Sequence, residues 1–134
     1  MGNLGMGVML GILGGNEETV TSIKSSLNKT IEKVELDGDN LVISFTDNTA
    51  LEIWDGGQSC CESRYMTTDD DLSDFSGATL LDMELKSAEY EDGGWDVHEI
   101  QFLDVKTSEG VFTMANHNEH NGYYGGFWIQ AKLK

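Results

Sequence analysis

The sequence predicts an α+β fold in which a twisted, mainly antiparallel β-sheet carries an N-terminal helix and a short inserted helix. Apolar and polar residues alternate in short segments from residue 30 to the end, as in strands with one buried face. Gly, Asn and Asp separate these segments, and they must form the turns because proline is absent. At 134 residues the chain fits one domain, predicted over residues 16–134 after a Gly/Met-rich tail at residues 1–15.

The tail, MGNLGMGVMLGILGG, is apolar and rich in glycine. It is too short to span a bilayer, and it lacks the basic flank and cleavage pattern of a signal peptide. Glycine disfavours an isolated helix, whereas exposed apolar segments bind apolar surfaces. Two interpretations stay open: a tail that is ordered only by packing, or a contact through which the chain forms a homo-oligomer.

The next segment has helical spacing. Asn16 is a good helix cap, and Glu17 and Glu18 carry negative charge in the first turn, where the helix dipole favours it. An apolar stripe suited to packing on a sheet follows, formed by Val20, Ile23 and Leu27. We therefore predict a helix over residues 17–28.

A three-stranded meander follows, with strands at residues 30–36, 41–45 and 50–54 joined by turns at 37–40 and 47–48. A short fourth strand is expected at residues 64–67. Asp69, Asp70 and Asp71 then begin a short helix that Gly77 closes. These three carboxylates lack the spaced oxygen ligands of a calcium loop, so we interpret them as helix caps.

The second half of the chain predicts longer strands. They lie at residues 78–90, 95–106, 111–115 and 123–133, and the apolar pattern slips near the middle of 95–106, which suggests a bulge. The polar stretch at residues 116–122 is predicted as a loop. Strands that follow one another through short turns favour antiparallel pairing.

The charge balance restricts the classes of partner. The chain has 24 acidic and 8 basic residues, a formal net charge of −16. Such a field repels nucleic acid and anionic membranes, so we predict that neither is a direct partner. It leaves a surface that is merely soluble, a surface that binds cations, or a decoy for a basic partner.

The cysteines and histidines give weak signals for chemistry. Cys60 and Cys61 are adjacent, which is unfavourable for a mutual disulfide, and reduced thiols fit a cytosolic protein. Zinc sites usually space their cysteines more widely, and His117 and His120 lie in a polar stretch. A thiol enzyme would need one cysteine beside a histidine such as His98, without any matching signature. We predict no cofactor, no metal site and no enzymatic activity.

Four motifs in order resemble a family of short, uncharacterised bacteriophage and prophage proteins. They are LNKTIEKV at residues 27–34, QSCCE at 58–62, DDLSDFSG at 70–77 and NGYY at 121–124. The resemblance implies a phage origin and a non-structural accessory role in the cytoplasm of the infected bacterial host. It implies no particular activity, and the Gly/Met tail departs from the family pattern.

Two candidate binding sites follow. The first is acidic and would bind a host protein with a basic surface, such as a nucleic-acid-handling or defence factor; its residues are Asp69, Asp70, Asp71 and Asp74. The second would sequester a small ligand such as a nucleotide signal, unless its aromatic rings are simply sheet core; its residues are Arg64, Tyr65, Tyr123, Tyr124 and Trp128. We favour the acidic site, because it alone uses the net charge. A metal-binding protein or thiol enzyme ranks third.

Overall fold

The computed structural model describes residues 17–56, 63–92, 97–120, 127 and 129–134. The predicted tail, the helix cap at Asn16, both cysteines and three candidate ligand residues (Tyr123, Tyr124 and Trp128) lie outside the described residues. The elements are α1 (Glu17–Ser26), β1 (Ile31–Asp37), β2 (Asn40–Phe45), β3 (Ala50–Asp55), β4 (Ser63–Thr67), a 3-10 turn (Leu72–Phe75), β5 (Leu80–Asp92), β6 (Val97–Thr107), β7 (Gly110–His120) and β8 (Ile129–Leu133).

The strands form two antiparallel sheets, which corrects the predicted single sheet. Sheet I has the order β1-β2-β3-β8, and sheet II has the order β4-β7-β6-β5. The predicted meander is confirmed, since β1, β2 and β3 are neighbours in sheet I. The predicted fourth strand is confirmed as β4, and it pairs with β7 in sheet II. Both halves of the chain carry strands with one apolar face, and two sheets bury these faces in one shared core.

The core is continuous between the sheets. Its largest fully buried side chains come from both of them and from α1, namely Phe45, Phe112, Ile23, Ile31, Leu41, Ile43, Leu51, Ile53, Leu80, Met83 and Leu85. Full burial of one such side chain stabilises the fold by roughly 1.5–3 kcal/mol. The core is therefore the main source of the stability that holds the two sheets together.

A backbone seam joins the sheets at one end. Ile31 N donates to Ala78 O at 2.7 Å, and Gly77 N donates to Ile31 O at 2.7 Å. Gly77 has φ +89°, a left-handed conformation that glycine adopts without strain. The chain can thus turn sharply out of the 3-10 turn and pair with the start of β1.

Helix α1 ends two residues earlier than predicted. Asn28 has φ +72°, and its backbone N donates to Leu80 O at 2.7 Å, at the seam. A left-handed residue cannot continue a right-handed helix, and Asn tolerates this conformation better than most residues. The tertiary hydrogen bond to Leu80 therefore fixes the end of the helix.

Helix α1 also protects the outer edge of sheet I. Ala131 N donates to Thr19 Oγ1 at 3.2 Å, and Leu133 N donates to Ser22 Oγ at 3.1 Å, while Ile23 joins the core. These N–H groups belong to β8 on the side away from β3. Free strand edges invite pairing with another chain, so hydroxyl groups of the helix block this edge.

The predicted loop at residues 116–122 is wrong over residues 116–120, because β7 continues to His120. Asn116 pairs with Gln101 of β6 and with Met66 of β4. Polar residues mark loops in most sequences, but here two neighbouring strands supply the backbone partners that keep this stretch extended. The register irregularities of the β5–β6 pair fall at Leu80/Asp82 and Ser87/Tyr90, in β5 and not in β6 as predicted.

The predicted inserted helix is only a 3-10 turn, Leu72–Phe75. Asp71 caps it: Oδ1 accepts hydrogen bonds from Ser73 Oγ at 2.6 Å and Ser73 N at 3.0 Å. These bonds lower the pKa of Asp71. The capping role is therefore confirmed for Asp71, while the four-residue turn is too short to form an α-helix.

Replacing Ser22 by Ala tests the edge protection. The variant leaves the Leu133 N–H of β8 without its hydroxyl acceptor, so we expect the free energy of unfolding to fall by about 1 kcal/mol. Ser25→Ala is the matched control, because Ser25 is exposed on the same helix. Urea unfolding measures the free energy of unfolding of both variants, and the difference between them gives the contribution of the hydrogen bond. Equal stabilities would contradict the proposed edge protection.

Candidate functional site

One end of the space between the sheets is polar. Along the inner face of β7, buried Phe112 and Met114 are followed by buried Asn116 and Asn118. Cross-strand neighbours point to the same face, so Arg64 lies beside Asn118 on this inner side. The apolar core therefore gives way to amide and guanidinium groups toward the end of β7.

A buried ion pair links the two sheets at this polar end. Arg64 Nη1 of β4 donates to Asp55 Oδ2 at 2.8 Å and to Oδ1 at 3.0 Å, and Asp55 ends β3 of sheet I. The side chains are only 8% and 9% exposed. Charge-assisted bonds in such surroundings are strong, and each partner offsets the cost of burying the other. The positive charge of Arg64 is thus balanced inside the protein.

A cavity of about 140 Å³ lies beside the ion pair. It is lined by Asp39, Asn40, Asp55, Arg64, Tyr65, Met66 and Asn116. The Asn116 side chain is buried, and among the described residues neither its Nδ2 nor its Oδ1 has a hydrogen-bond partner. Gln101 Oε1, across the ladder on β6, has no partner in this part of the chain either. Buried amides without partners are unusual in folded proteins.

The ring of Tyr65 is held in a different cluster. It stacks on His117 with ring centroids 4.5 Å apart and planes 6° apart. Tyr65 OH donates to Glu119 Oε2 at 2.7 Å, and this bond raises the pKa of Tyr65 to about 12. Because successive side chains of a strand point to opposite faces, the side chains of Arg64 and Tyr65 lie on opposite faces of β4.

His117 uses both ring nitrogens within this outer cluster. Nδ1 lies 2.9 Å from His98 Nε2, and Nε2 lies 2.8 Å from Thr67 Oγ1. Burial lowers the pKa of His117, and the neighbouring His98 lowers it further. Across the described part of the chain, no group of three or more His, Cys, Asp or Glu side chains is placed to hold a metal ion.

The four candidate aspartates are all exposed, and two of them have structural roles. Asp70 Oδ2 accepts a hydrogen bond from Thr113 N at 2.7 Å, where β7 extends beyond the end of β4. Asp71 caps the 3-10 turn. Within the described residues, the carboxylates of Asp69 and Asp74 make no hydrogen bond. These two are therefore the carboxylates that are open to an outside partner.

A shallow groove of about 270 Å³ borders this acidic segment on the outer side of sheet II. Its lining consists of Thr67, Thr68, Asp69, Asp70, Phe102, Thr113 and Ala115. Phe102 is 36% exposed, a large apolar ring open to solvent. Carboxylates beside an exposed ring suit a cationic side chain with an aliphatic stem, such as Lys or Arg.

Most of the basic residues form ion pairs with carboxylates of the same chain. Seven of the eight form ion pairs: Lys29, Lys33, Arg64, Lys86, Lys106, Lys132 and Lys134. Lys29 and Thr49 hold the pKa of Asp47 down to about 2, and Asp104 raises the pKa of Lys86. The remaining carboxylates give the surface its negative field.

Two of the predicted ligand residues, Arg64 and Tyr65, line the cavity, and the Tyr65 ring is stacked on His117. Their binding of a ligand stays a prediction. Asn116 and Gln101, the buried amides at this end of the fold, are not among the predicted site residues. The alternation of Asn116 and Asn118 with His117 and Glu119 was the available signal, since it has the period of a strand.

Comparison with known proteins gives one family. A family model described as a domain of unknown function (DUF7448) matches residues 24–128, which agrees with the resemblance to uncharacterised proteins. No curated protein and no solved structure matches the chain. Among the described residues, no helix has the length and apolar character needed to cross a membrane.

Replacing Arg64 by Met tests the ion pair between the sheets. Asp55 would keep its buried charge without its main partner, so we expect the free energy of unfolding to fall by about 3–5 kcal/mol. The double variant Asp55→Leu/Arg64→Met should recover most of that loss, because no buried charge remains. Chemical denaturation measures the free energy of unfolding of Arg64→Met, of Asp55→Leu and of the double variant. The pairing would be contradicted if the loss in the double variant equalled the sum of the losses in the two single variants.

The lowered pKa of His117 predicts a pH dependence of stability. The folded protein holds His117 neutral, whereas the unfolded chain binds a proton at this residue as pH falls through about 6.5. The free energy of unfolding should therefore decrease between about pH 7 and pH 5.5, and His117→Gln should reduce this slope. Unfolding curves across this window measure the slope, and an unchanged slope in the variant would refute the assignment.

Proposed function

We propose that this chain, which belongs to the DUF7448 family, is a non-enzymatic binding protein that acts as an acidic decoy for a protein with a basic surface. The motifs shared with phage and prophage proteins favour an accessory role in the cytoplasm of an infected bacterium. The partner would then be a host factor that handles nucleic acid or takes part in defence. Its nucleic-acid-binding surface supplies the positive charge that this chain complements.

The observation that carries this proposal is the groove beside the acidic segment. Asp69 and Asp70 lie at its rim, and Phe102 supplies an exposed ring inside it. An Arg or Lys of the partner would direct its charged end to the carboxylates and its alkyl stem to Phe102. The groove therefore supports a side-chain anchor within a wider charge-driven contact.

The distribution of charge supports the same function. With seven of the eight cations paired internally, the surplus of carboxylates faces solvent. The sequence holds no Lys or Arg between Arg64 and Lys86, the stretch that contains the four aspartates. A local field of one sign accelerates the association of an oppositely charged partner and weakens as salt is added.

A second candidate function is the sequestration of a small ligand in the cavity between the sheets. Arg64, Tyr65 and Asn116 line this cavity. This site is separate from the acidic groove, since the two share no lining residue in the described part of the chain. The two functions can therefore be tested independently.

Neutralising Asp69 and Asp74 tests the decoy function. The probe is the fraction of bacterial lysate proteins that binds to heparin, applied to the immobilised full chain. We expect retention at about 50 mM salt, release at about 500 mM, and at least roughly fivefold weaker retention by Asp69→Asn/Asp74→Asn. Addition of duplex DNA should release the same proteins, because DNA competes for their basic surface.

The matched control is Glu32→Gln/Asp37→Asn. It removes the same net charge from exposed positions on β1, outside the acidic segment. This control should retain the probe proteins as well as the wild-type chain does. Equal losses in the two double variants would show that only net charge matters, and a lack of DNA competition would contradict the decoy function.

A further inference from the structure

Two histidines lie beside the acidic groove of sheet II. Thr67 and Ala115 belong to the lining of this groove. Thr67 Oγ1 lies 2.8 Å from His117 Nε2, and His117 Nδ1 lies 2.9 Å from His98 Nε2. Ala115 and His117 are two positions apart on β7, so their side chains share the outer face, ~7 Å apart along the strand. The histidine pair is therefore joined to the groove through the Thr67 hydroxyl.

The pair can take up one proton without losing its contacts. A neutral imidazole carries a proton on one ring nitrogen, and a charged imidazole carries one on each. If His117 is charged, its Nδ1 donates to His98 Nε2 and its Nε2 donates to the Thr67 hydroxyl oxygen. If both rings are charged, two N–H groups face each other and this hydrogen bond is lost. The pair thus changes between a net charge of zero and a net charge of +1.

The groups that face the pair come from three strands. On β4, the Tyr65 ring stacks on His117, and Tyr65 OH donates to Glu119 of β7. On β5, Glu91 is the ladder partner of His98. Burial and the neighbouring His98 lower the pKa of His117 below its usual 6.5, and Glu119 opposes them in part. His117 is therefore neutral at pH 7.5 and gains its proton only in a more acidic solution.

A proton on the pair acts on a cation in the groove. The carboxylates of Asp69 and Asp70 attract the cation, whereas a positive charge on the imidazole of His117 repels it. The pair is half-buried, so solvent screens this repulsion only in part. Two unit charges about 10 Å apart in such a setting change the affinity roughly fourfold.

We infer that the His98–His117 pair makes cation binding in the acidic groove dependent on pH. The groove binds an Arg or Lys side chain of the partner while the pair is neutral, and it releases this side chain when the pair takes up a proton. This inference rests on the proposed decoy function and adds its regulation. By linkage, a bound cation must also make protonation of the pair less favourable.

An NMR titration of the isotope-labelled full chain tests this inference. The probe is acetylarginine amide, which has one positive charge and an alkyl stem, and the readout is the shift of the Thr68 and Ala115 backbone amide signals. We expect binding at least about threefold weaker at about pH 5.0 than at about pH 7.5. His98→Gln/His117→Gln should bind within about twofold of wild type at the higher pH and lose most of the pH dependence.

His120→Gln is the matched control, because His120 is the third histidine of the chain and lies outside the pair. This variant should keep the full pH dependence of the wild-type chain. If the double histidine variant also kept it, the pH dependence would belong to other groups, such as the carboxylates of the groove. That result would overturn the inference.

A second measurement uses the wild-type chain alone. The ring signals of His117 are followed across the same pH range without the probe and with a saturating concentration of it. The probe should move the midpoint of His117 protonation to lower pH. An unchanged midpoint with the probe bound would overturn the linkage and leave the decoy function intact. Failure of the probe to bind the groove at the higher pH would overturn the proposed side-chain anchor and the linkage with it.

Discussion

The buried ion pair between Arg64 and Asp55 determines the net charge at the polar end of this protein. It joins β4 of sheet II to β3 of sheet I, at the end of the space that the apolar core does not fill. Neither charge could stay buried there without the other. Because the pair is internally balanced, the cavity beside it presents no net positive charge to an anion.

Strand β7 contributes residues to both proposed binding sites, one on each face. Its inner face runs from Phe112 in the core to Asn116 at the cavity. Its outer face carries His117 in the stacked cluster and Thr113 at the acidic groove. The alternation of a β-strand therefore places the cavity on one face of β7 and the acidic groove on the other. Binding at one face need not alter the other, and the two proposed functions follow from separate chemistry.

The strand pattern could be predicted from the sequence because it is local. The meander of β1 to β3, the position of α1 and the capping role of Asp71 depend on neighbours in the chain. The division into two sheets could not be predicted, since it depends on which apolar faces meet. The extended structure of residues 116–120 could not be predicted either, because the backbone partners that hold these residues extended lie on β4 and β6. The sequence pointed to Arg64 as a ligand-binding residue, but it could not show that Asp55 lies across the sheets.

The most direct measurement is a high-resolution crystal structure of the wild-type chain as purified, read at the cavity beside Arg64 and Asp55. We expect Arg64 Nη1 to lie within hydrogen-bond distance of both carboxylate oxygens of Asp55, with both side chains buried. An Arg64 side chain turned away from Asp55 would contradict the account, because the balance of charge at the site depends on that pair.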